Sequence, residues 1–273
     1  MKKFKIGLQL YSVRDDMKQD MRKTLQEVKD MGYDCVEFAG YFDKSAEEIK
    51  TMLDEIGLEC VSVHQTHGVY VEDFEYNAKF IKTLGAKYSA IPWMNKDEIV
   101  TEKFISEVKE VGEKLSKEGI TLLYHNHDFE FAKTGDQFIL DWIYASVDAS
   151  ILQTEVDTCW VRYAGYDPAD YIRKYNGRSP IVHLKDFVCD NFAGGPVYAL
   201  IDENGVENKP KSREENGFKF RPVGHGIQDV KSIVKAAEEV GADILIVEQD
   251  QSPDRPALES AKMSREYLKS IGL

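Results

Sequence analysis

The chain is predicted to fold as a single-domain α/β protein, a (β/α)8 barrel spanning residues 1–273. Three observations lead there. Eight short runs rich in β-branched, aromatic and aliphatic residues alternate with amphipathic segments. Six helical segments end at a glycine just before a strand, at Gly32, Gly57, Gly85, Gly119, Gly177 and Gly241. No linker, low-complexity tract or shift in composition divides the chain. Parallel strands need crossover connections, usually helices, so repeated βα units imply a parallel sheet. Eight such units in ~250 residues fit a closed barrel. An open doubly wound sheet would carry a glycine-rich phosphate turn after its first strand. Here that strand reads Gly7-Leu8-Gln9-Leu10-Tyr11-Ser12.

The first strand is assigned to 5–10, and the first long helix to 21–31, with Leu25 and Val28 on one stripe and Gly32 as its cap. Strand two, 35–38, leads to a helix opened by Ser45, where Glu48 completes a capping box and Gly57 ends the run. Strand three is 60–64, followed by a helix at 74–84. Strand four, 88–91, precedes a helix at 101–117; strand five, 121–125, precedes one at 138–145. Strand six, 152–156, is followed by 167–175, and strand seven is 181–184. A long connection then runs over 187–224. It contains Gly194-Gly195-Pro196 and an Asn204-Gly205 turn, which reads as a hairpin between 197–201 and 206–208. Because it leaves the rim where barrel enzymes keep their sites, it is expected to form a partial lid. A helix at 227–240, strand eight at 244–247 and a helix at 256–270 complete the set.

Composition narrows the function. Lys and Arg number 35 against 48 Asp and Glu, a net charge of −13. Nucleic-acid backbones need clustered basic residues, so no nucleic-acid partner is expected. No run of about 18 apolar residues occurs, so no membrane span is expected. The basic start Met1-Lys2-Lys3-Phe4-Lys5-Ile6 lacks a signal core, since Gln9, Ser12, Arg14, Asp15 and Asp16 follow too soon; a cytoplasmic location is expected. Cys35, Cys60, Cys159 and Cys189 form no CxxC pair and read as free thiols.

Side chains alternate along a strand. Taking the aliphatic set to face the helices, Ile6 and Leu8 point outward on strand one and Val61 and Val63 on strand three. The inward set then ends in a polar residue on seven strands: Gln9, Glu37, His64, His125, Asp157, His183 and Glu248. Unpaired, each would cost several kcal/mol in an ordinary core, on the order of 2–7 kcal/mol. Asp157, His183 and Glu248 fall on adjacent strands six to eight. Two hard oxygen ligands and an imidazole suit one divalent ion such as Mn²⁺, Mg²⁺, Co²⁺ or Zn²⁺.

At these residues the sequence resembles the xylose isomerase-like superfamily of (β/α)8 sugar isomerases and epimerases, which also contains endonuclease IV and the inosose dehydratases. The resemblance runs through Gly7-Leu8-Gln9-Leu10-Tyr11-Ser12, Tyr124-His125-Asn126-His127-Asp128, Glu155-Val156-Asp157, Val182-His183-Leu184-Lys185-Asp186, Val223-Gly224-His225-Gly226 and Val247-Glu248-Gln249-Asp250. It implies one divalent ion, Mn²⁺ foremost, held by Asp157, His183 and Glu248. The family's strand-five Glu is replaced by His125, which either ligates the ion itself or has lost that role. Trp160 and His225 also depart from the family pattern, standing where many members have His and Glu.

The resemblance further implies removal of a proton α to a carbonyl of a small-molecule sugar substrate, with elimination from a 3-keto-glycoside and a non-catalytic sugar-binding barrel as alternatives. Endonuclease activity is disfavoured by the charge and the missing Glu. Glu248 is the expected base and His125 the second acid–base group. Lys185 would neutralise oxyanion charge, or else pair with Asp186 or Glu155. Gln9, Glu37, His64 and His127 would contact sugar hydroxyls. Trp160 would stack on a sugar face or serve packing. Arg221 would meet a phosphate or carboxylate, or form a surface salt bridge, and His225 would sit in the loop beside it. A homo-oligomer is compatible with the sequence.

Overall fold

The computed structural model describes residues 3–94, 96–190, 213 and 215–273. The expected hairpin at Asn204-Gly205 and most of the expected lid lie outside the described residues. Eight parallel strands close into one barrel: β1 (Lys5–Gln9), β2 (Cys35–Ala39), β3 (Glu59–His64), β4 (Tyr88–Ile91), β5 (Thr121–His125), β6 (Leu152–Asp157), β7 (Ile181–Leu184) and β8 (Ile244–Val247). Each strand pairs with the next in sequence, and β8 returns to β1 with Lys5 opposite Ile244 and Leu8 opposite Val247.

Eight principal helices cover the sheet: α1 (Met21–Met31), α2 (Ala46–Ile56), α3 (Phe74–Leu84), α4 (Glu102–Lys117), α5 (Ile139–Ser146), α6 (Pro168–Lys174), α7 (Val230–Glu239) and α8 (Ala257–Ser270). The capping box at Ser45 and Glu48 is present, and Gly57 takes the left-handed conformation at the helix end. α7 starts at Val230 rather than 227 because the Asp229 side chain accepts from Ser232 N and sets the cap there.

Two apolar layers follow the alternation. Leu8, Val36, Phe38, Leu122, Val156, Val182 and Leu245 pack outward against the helices. Cys35, Val61, Ala90, Leu123, Ile181, Ile244 and Ile246 fill the barrel beneath the rim. Val61 corrects the simple alternation, which put it outside. β2 and β3 slip register between Val36 and Glu37, so that Cys60 faces Val36 and Ser62 faces Glu37. The extra residue of this bulge, Val61, turns into the interior. Gly7 is required where it stands, since a Cβ there would overlap Ile246 and Cys35. Among the described residues, no helix is long and apolar enough to cross a membrane.

Candidate active site

The inward residues at the strand ends converge at the C-terminal rim in two tiers. The lower tier is buried except for His64, which is partly exposed on the cavity wall. Glu155 on β6 presents Oε1 at 2.6 Å from His64 Nε2, 3.1 Å from His125 Nδ1 and 3.0 Å from His183 Nε2. Glu37 Oε2 lies 2.8 Å from His183 Nε2 and 3.2 Å from His64 Nε2, and accepts from Gln9 Nε2 at 2.8 Å. Burial disfavours the charged form of His64, but the Glu37 and Glu155 carboxylates outweigh it and raise its pKa to about 10. His183 is likewise raised well above the ordinary range against its burial, chiefly by Glu155 and Glu37. Burial works against ionisation of Glu155 too, yet His183 and His64 hold it well below the usual carboxylate range.

The upper tier is made of the other ring nitrogens and two further carboxylates. His125, Asp157, His183 and Glu248 place one donor atom each within 4.8 Å of one another. His183 Nδ1 lies 3.0 Å from Glu248 Oε2, and His125 Nε2 lies 3.6 Å from Asp157 Oδ2. Asp157 divides its two oxygens. Oδ1 accepts from Cys159 N and Trp160 N, capping the short helix Thr158–Tyr163, while Oδ2 is buried without a hydrogen bond. The Asn126 carboxamide oxygen accepts from Asp157 N at 2.9 Å and fixes the strand end. His64, His125, Glu155 and His183 form a second compact donor set one tier down.

Lys185 enters from β7's end, buried to 2% exposure. Its Nζ lies 2.7 Å from Asp250, 3.3 Å from Glu248 and 3.4 Å from Asp157. Burial opposes its charge, but these carboxylates push its pKa well above the ordinary lysine value. The alternative pairing with Asp186 or Glu155 is therefore corrected, since the partners are Asp250, Glu248 and Asp157. Asp186 faces the other way and accepts from the backbone N–H groups of Phe187, Gly224, Gly226 and Gln228. Glu155 is taken up by the three imidazoles.

A cavity of about 410 Å³ opens above the upper tier, lined by His64, His125, His127, Lys185, Glu248 and Asp250, with Tyr11 and Trp93 at its mouth. Burial, with the neighbouring His125 and Lys185, keeps His127 well below the ordinary histidine value. Gln9 and Glu37 lie under the cavity floor rather than on it. Trp160, Arg221 and His225 do not line the cavity. The ring of Trp160 is covered by His127 at 5.7 Å and Phe218 at 5.9 Å, which leaves no free face for a sugar. Arg221 pairs with Asp254 at 3.0 Å, and His225 is exposed near Tyr267. Glu155, Asp250 and Trp93 were not singled out for the site from sequence. The inward parity of Glu155 was the available signal; Asp250 and Trp93 lie on loops, where alternation carries no information.

A model of the xylose isomerase-like TIM barrel family matches residues 25–271. An inosose dehydratase from Geobacillus kaustophilus (strain HTA426) is 24% identical over 304 aligned positions, covering 97% of this chain and 94% of that protein. The crystal structure of a sugar phosphate isomerase/epimerase from Parabacteroides distasonis superposes with a TM-score of 0.76 at 21% identity, covering 100% of this chain and 96% of the other. A xylose isomerase-like TIM barrel protein from Mycobacterium smegmatis, solved in complex with magnesium, gives a TM-score of 0.66 at 17% identity, covering 98% and 96%.

Proposed function

Since the chain belongs to the xylose isomerase-like TIM barrel family, we propose that it is a metal-dependent sugar isomerase or epimerase that removes a proton α to a carbonyl. The observation that carries this reading is the upper donor set, four buried side chains with their donor atoms within 4.8 Å. The residues fit a divalent ion. Three carboxyl groups, on Asp157, Glu248 and Asp250, face one ammonium, and Asp157 Oδ2 is buried with no hydrogen bond of its own. Asp157, His183, Glu248 and His125 would hold the ion, a mixed nitrogen and oxygen set that suits Mn²⁺, Mg²⁺, Co²⁺ or Zn²⁺. Bound there, it would supply positive charge beside the substrate's carbonyl or hydroxyl oxygen.

The chain's own groups do the rest. Glu248 lines the cavity and is held ionised, against its burial, by Lys185 and His183, so it takes the α-proton. His125 faces the same space and, where it is not a ligand, returns a proton, to the neighbouring carbon in an isomerase or to the opposite face of the same carbon in an epimerase. The Lys185 ammonium faces the developing oxyanion. His64 and His127 contact sugar hydroxyls from the cavity wall. A second reading, elimination by the same proton abstraction, is favoured by the inosose dehydratase relative. Loss of a β-hydroxyl or a glycosidic oxygen after proton removal would give a dehydratase or lyase from the same residues.

Metal analysis of the purified protein, followed by exchange of the α-proton in D₂O over a panel of keto-sugars and 3-keto-glycosides, tests the reading. Glu248→Gln keeps size and one oxygen but loses the carboxylate base, so exchange should drop by ~10²–10⁴-fold. Near wild-type exchange in metal-loaded Glu248→Gln would move the base role elsewhere. Loss of metal in His125→Ala marks His125 as a ligand; retained metal with lost exchange marks it as an acid–base group.

A further inference from the structure

Beside the 410 Å³ cavity lies a larger cleft of about 640 Å³, between the helix His67–Glu72 and the start of α4. Thr66 and Trp93 line both, so the two spaces share one wall. The cleft's apolar walls are formed by Val71, Met94 and Phe104, with Glu72, Glu98, Thr101, Lys103 and Glu107 supplying polar groups around them. Val71 is 57% exposed and Trp93 51%. Together with Tyr11 at the cavity mouth, they make up three of the six large hydrophobic residues exposed among the described residues. Apolar side chains held in water and gathered at one rim mark a binding surface rather than scatter.

The cleft also has a polar end. His67 lines it at only 5% exposure, and its Nε2 makes no hydrogen bond although Glu107 Oε2 is 3.4 Å away. A buried polar atom without a partner is rare and calls for one. Both volumes fall in the range of small-molecule sites, ~300–1,000 Å³. Val71, Met94 and Phe104 offer a sugar ring no hydrogen bonds. A flat apolar group with one polar edge fits them.

We propose that this cleft is a second subsite, which takes an aromatic group carried by the sugar, stacks it on Trp93 and reads a hydroxyl on its far edge with His67 and Glu107. The substrate class is then an aryl-substituted keto-sugar, which deepens the reading above and rests on it. Calorimetric titration with methyl and 4-hydroxyphenyl 3-keto-β-glucosides, which share one sugar, tests it. The aryl compound should bind about tenfold tighter or more, as one well-packed ring contributes. Val71→Trp, which fills the cleft from an exposed position, and Val71→Asp, which charges its wall, should each bring that preference close to unity.

Equal binding of the two glycosides by the wild type, or a preference that survives both variants, overturns the subsite. α-Proton exchange in the same samples reads the proposed reaction separately. Exchange with no aryl preference defeats the cleft and leaves the reaction standing. An aryl preference without exchange supports the subsite and defeats the reaction. Failure of both compounds to bind overturns both.

Discussion

Glu155 Oε1 engages one nitrogen on each of three imidazoles, so it decides which nitrogens of His125 and His183 are left to face the cavity. A ring whose inner nitrogen is held by a carboxylate has its outer nitrogen fixed in direction, and such supports commonly contribute 10–100-fold in metal affinity by rough count. Glu155→Gln should therefore weaken divalent-ion binding by about that factor while His125, Asp157, His183 and Glu248 all remain. Metal titration of wild type and variant checks this, with melting temperatures of the metal-free proteins taken alongside. Unchanged affinity would remove Glu155 from the site; equal losses in affinity and metal-free stability would make it a packing residue. The sequence showed Glu155 on the same face as Asp157. It could not show depth along the barrel, which depends on how neighbouring strands are staggered. Lys185 teaches the same lesson. Its inward direction followed from parity, but its partner Asp250 lies beyond the strand-eight end, where alternation no longer predicts position.

The segment 222–228 shows how one carboxylate builds an element without regular structure. Asp186 gathers the N–H groups of Phe187, Gly224, Gly226 and Gln228 at 2.9 to 3.1 Å. Burial pushes its pKa up, opposed by these backbone bonds. Gln228 in turn donates to the carbonyls of Thr158 and Lys185, tying the turn to the ends of β6 and β7. Gly226 is forced, because a Cβ there would overlap Asp186 Oδ1 and the Phe187 carbonyl. Gly226→Ala must push that carboxylate away, and overpacking of this kind costs ~1–3 kcal/mol. We expect a melting temperature lower by several degrees, at ~2–4 °C per kcal/mol for a chain of this size, and slower turnover through displacement of Lys185. Scanning calorimetry with an exchange assay checks both, and an unshifted melt would show that the turn yields freely. The eight strands and eight principal helices were legible because each is long enough, or bounded sharply enough, to show its period. The helices Arg14–Gln19, His67–Glu72 and Thr158–Tyr163 have 6 residues each. That is less than two turns, too short for an apolar stripe to repeat. The last of these carries Trp160 behind the cavity, which is why its expected stacking face is covered.

At the scale of the molecule, the site depends on closure. Its two tiers draw on β1, β2, β3, β5, β6, β7 and the end of β8, while β4 leads directly to Trp93. Only a closed barrel brings together strands that are not neighbours in the sheet, setting His183 of β7 at 2.8 Å from Glu37 of β2 and His64 of β3 at 2.6 Å from Glu155 of β6. Eight counted βα units predicted the closure, but nothing local in sequence described how the seam is held. It is held by α8 against the turn that ends α1. Arg265 donates Nε–H to the Gly32 carbonyl at 2.7 Å and Nη1–H to the Leu273 carbonyl at 3.0 Å. Tyr33 donates its buried hydroxyl to the Ala261 carbonyl at 2.8 Å. Arg265 is only 7% exposed, so Arg265→Ala removes the partner of a carbonyl that water reaches poorly. Losing a charged donor to a poorly hydrated acceptor costs ~1–3 kcal/mol. The melting temperature should fall by several degrees, at ~2–4 °C per kcal/mol. Because every strand is hydrogen-bonded on both sides, the seam has no independent unit to unfold with, and the transition should stay single in calorimetry. A second, earlier transition in Arg265→Ala would mean that α8 detaches on its own. An unshifted melt would mean that the parallel pairing of β8 with β1 carries the closure without this clamp.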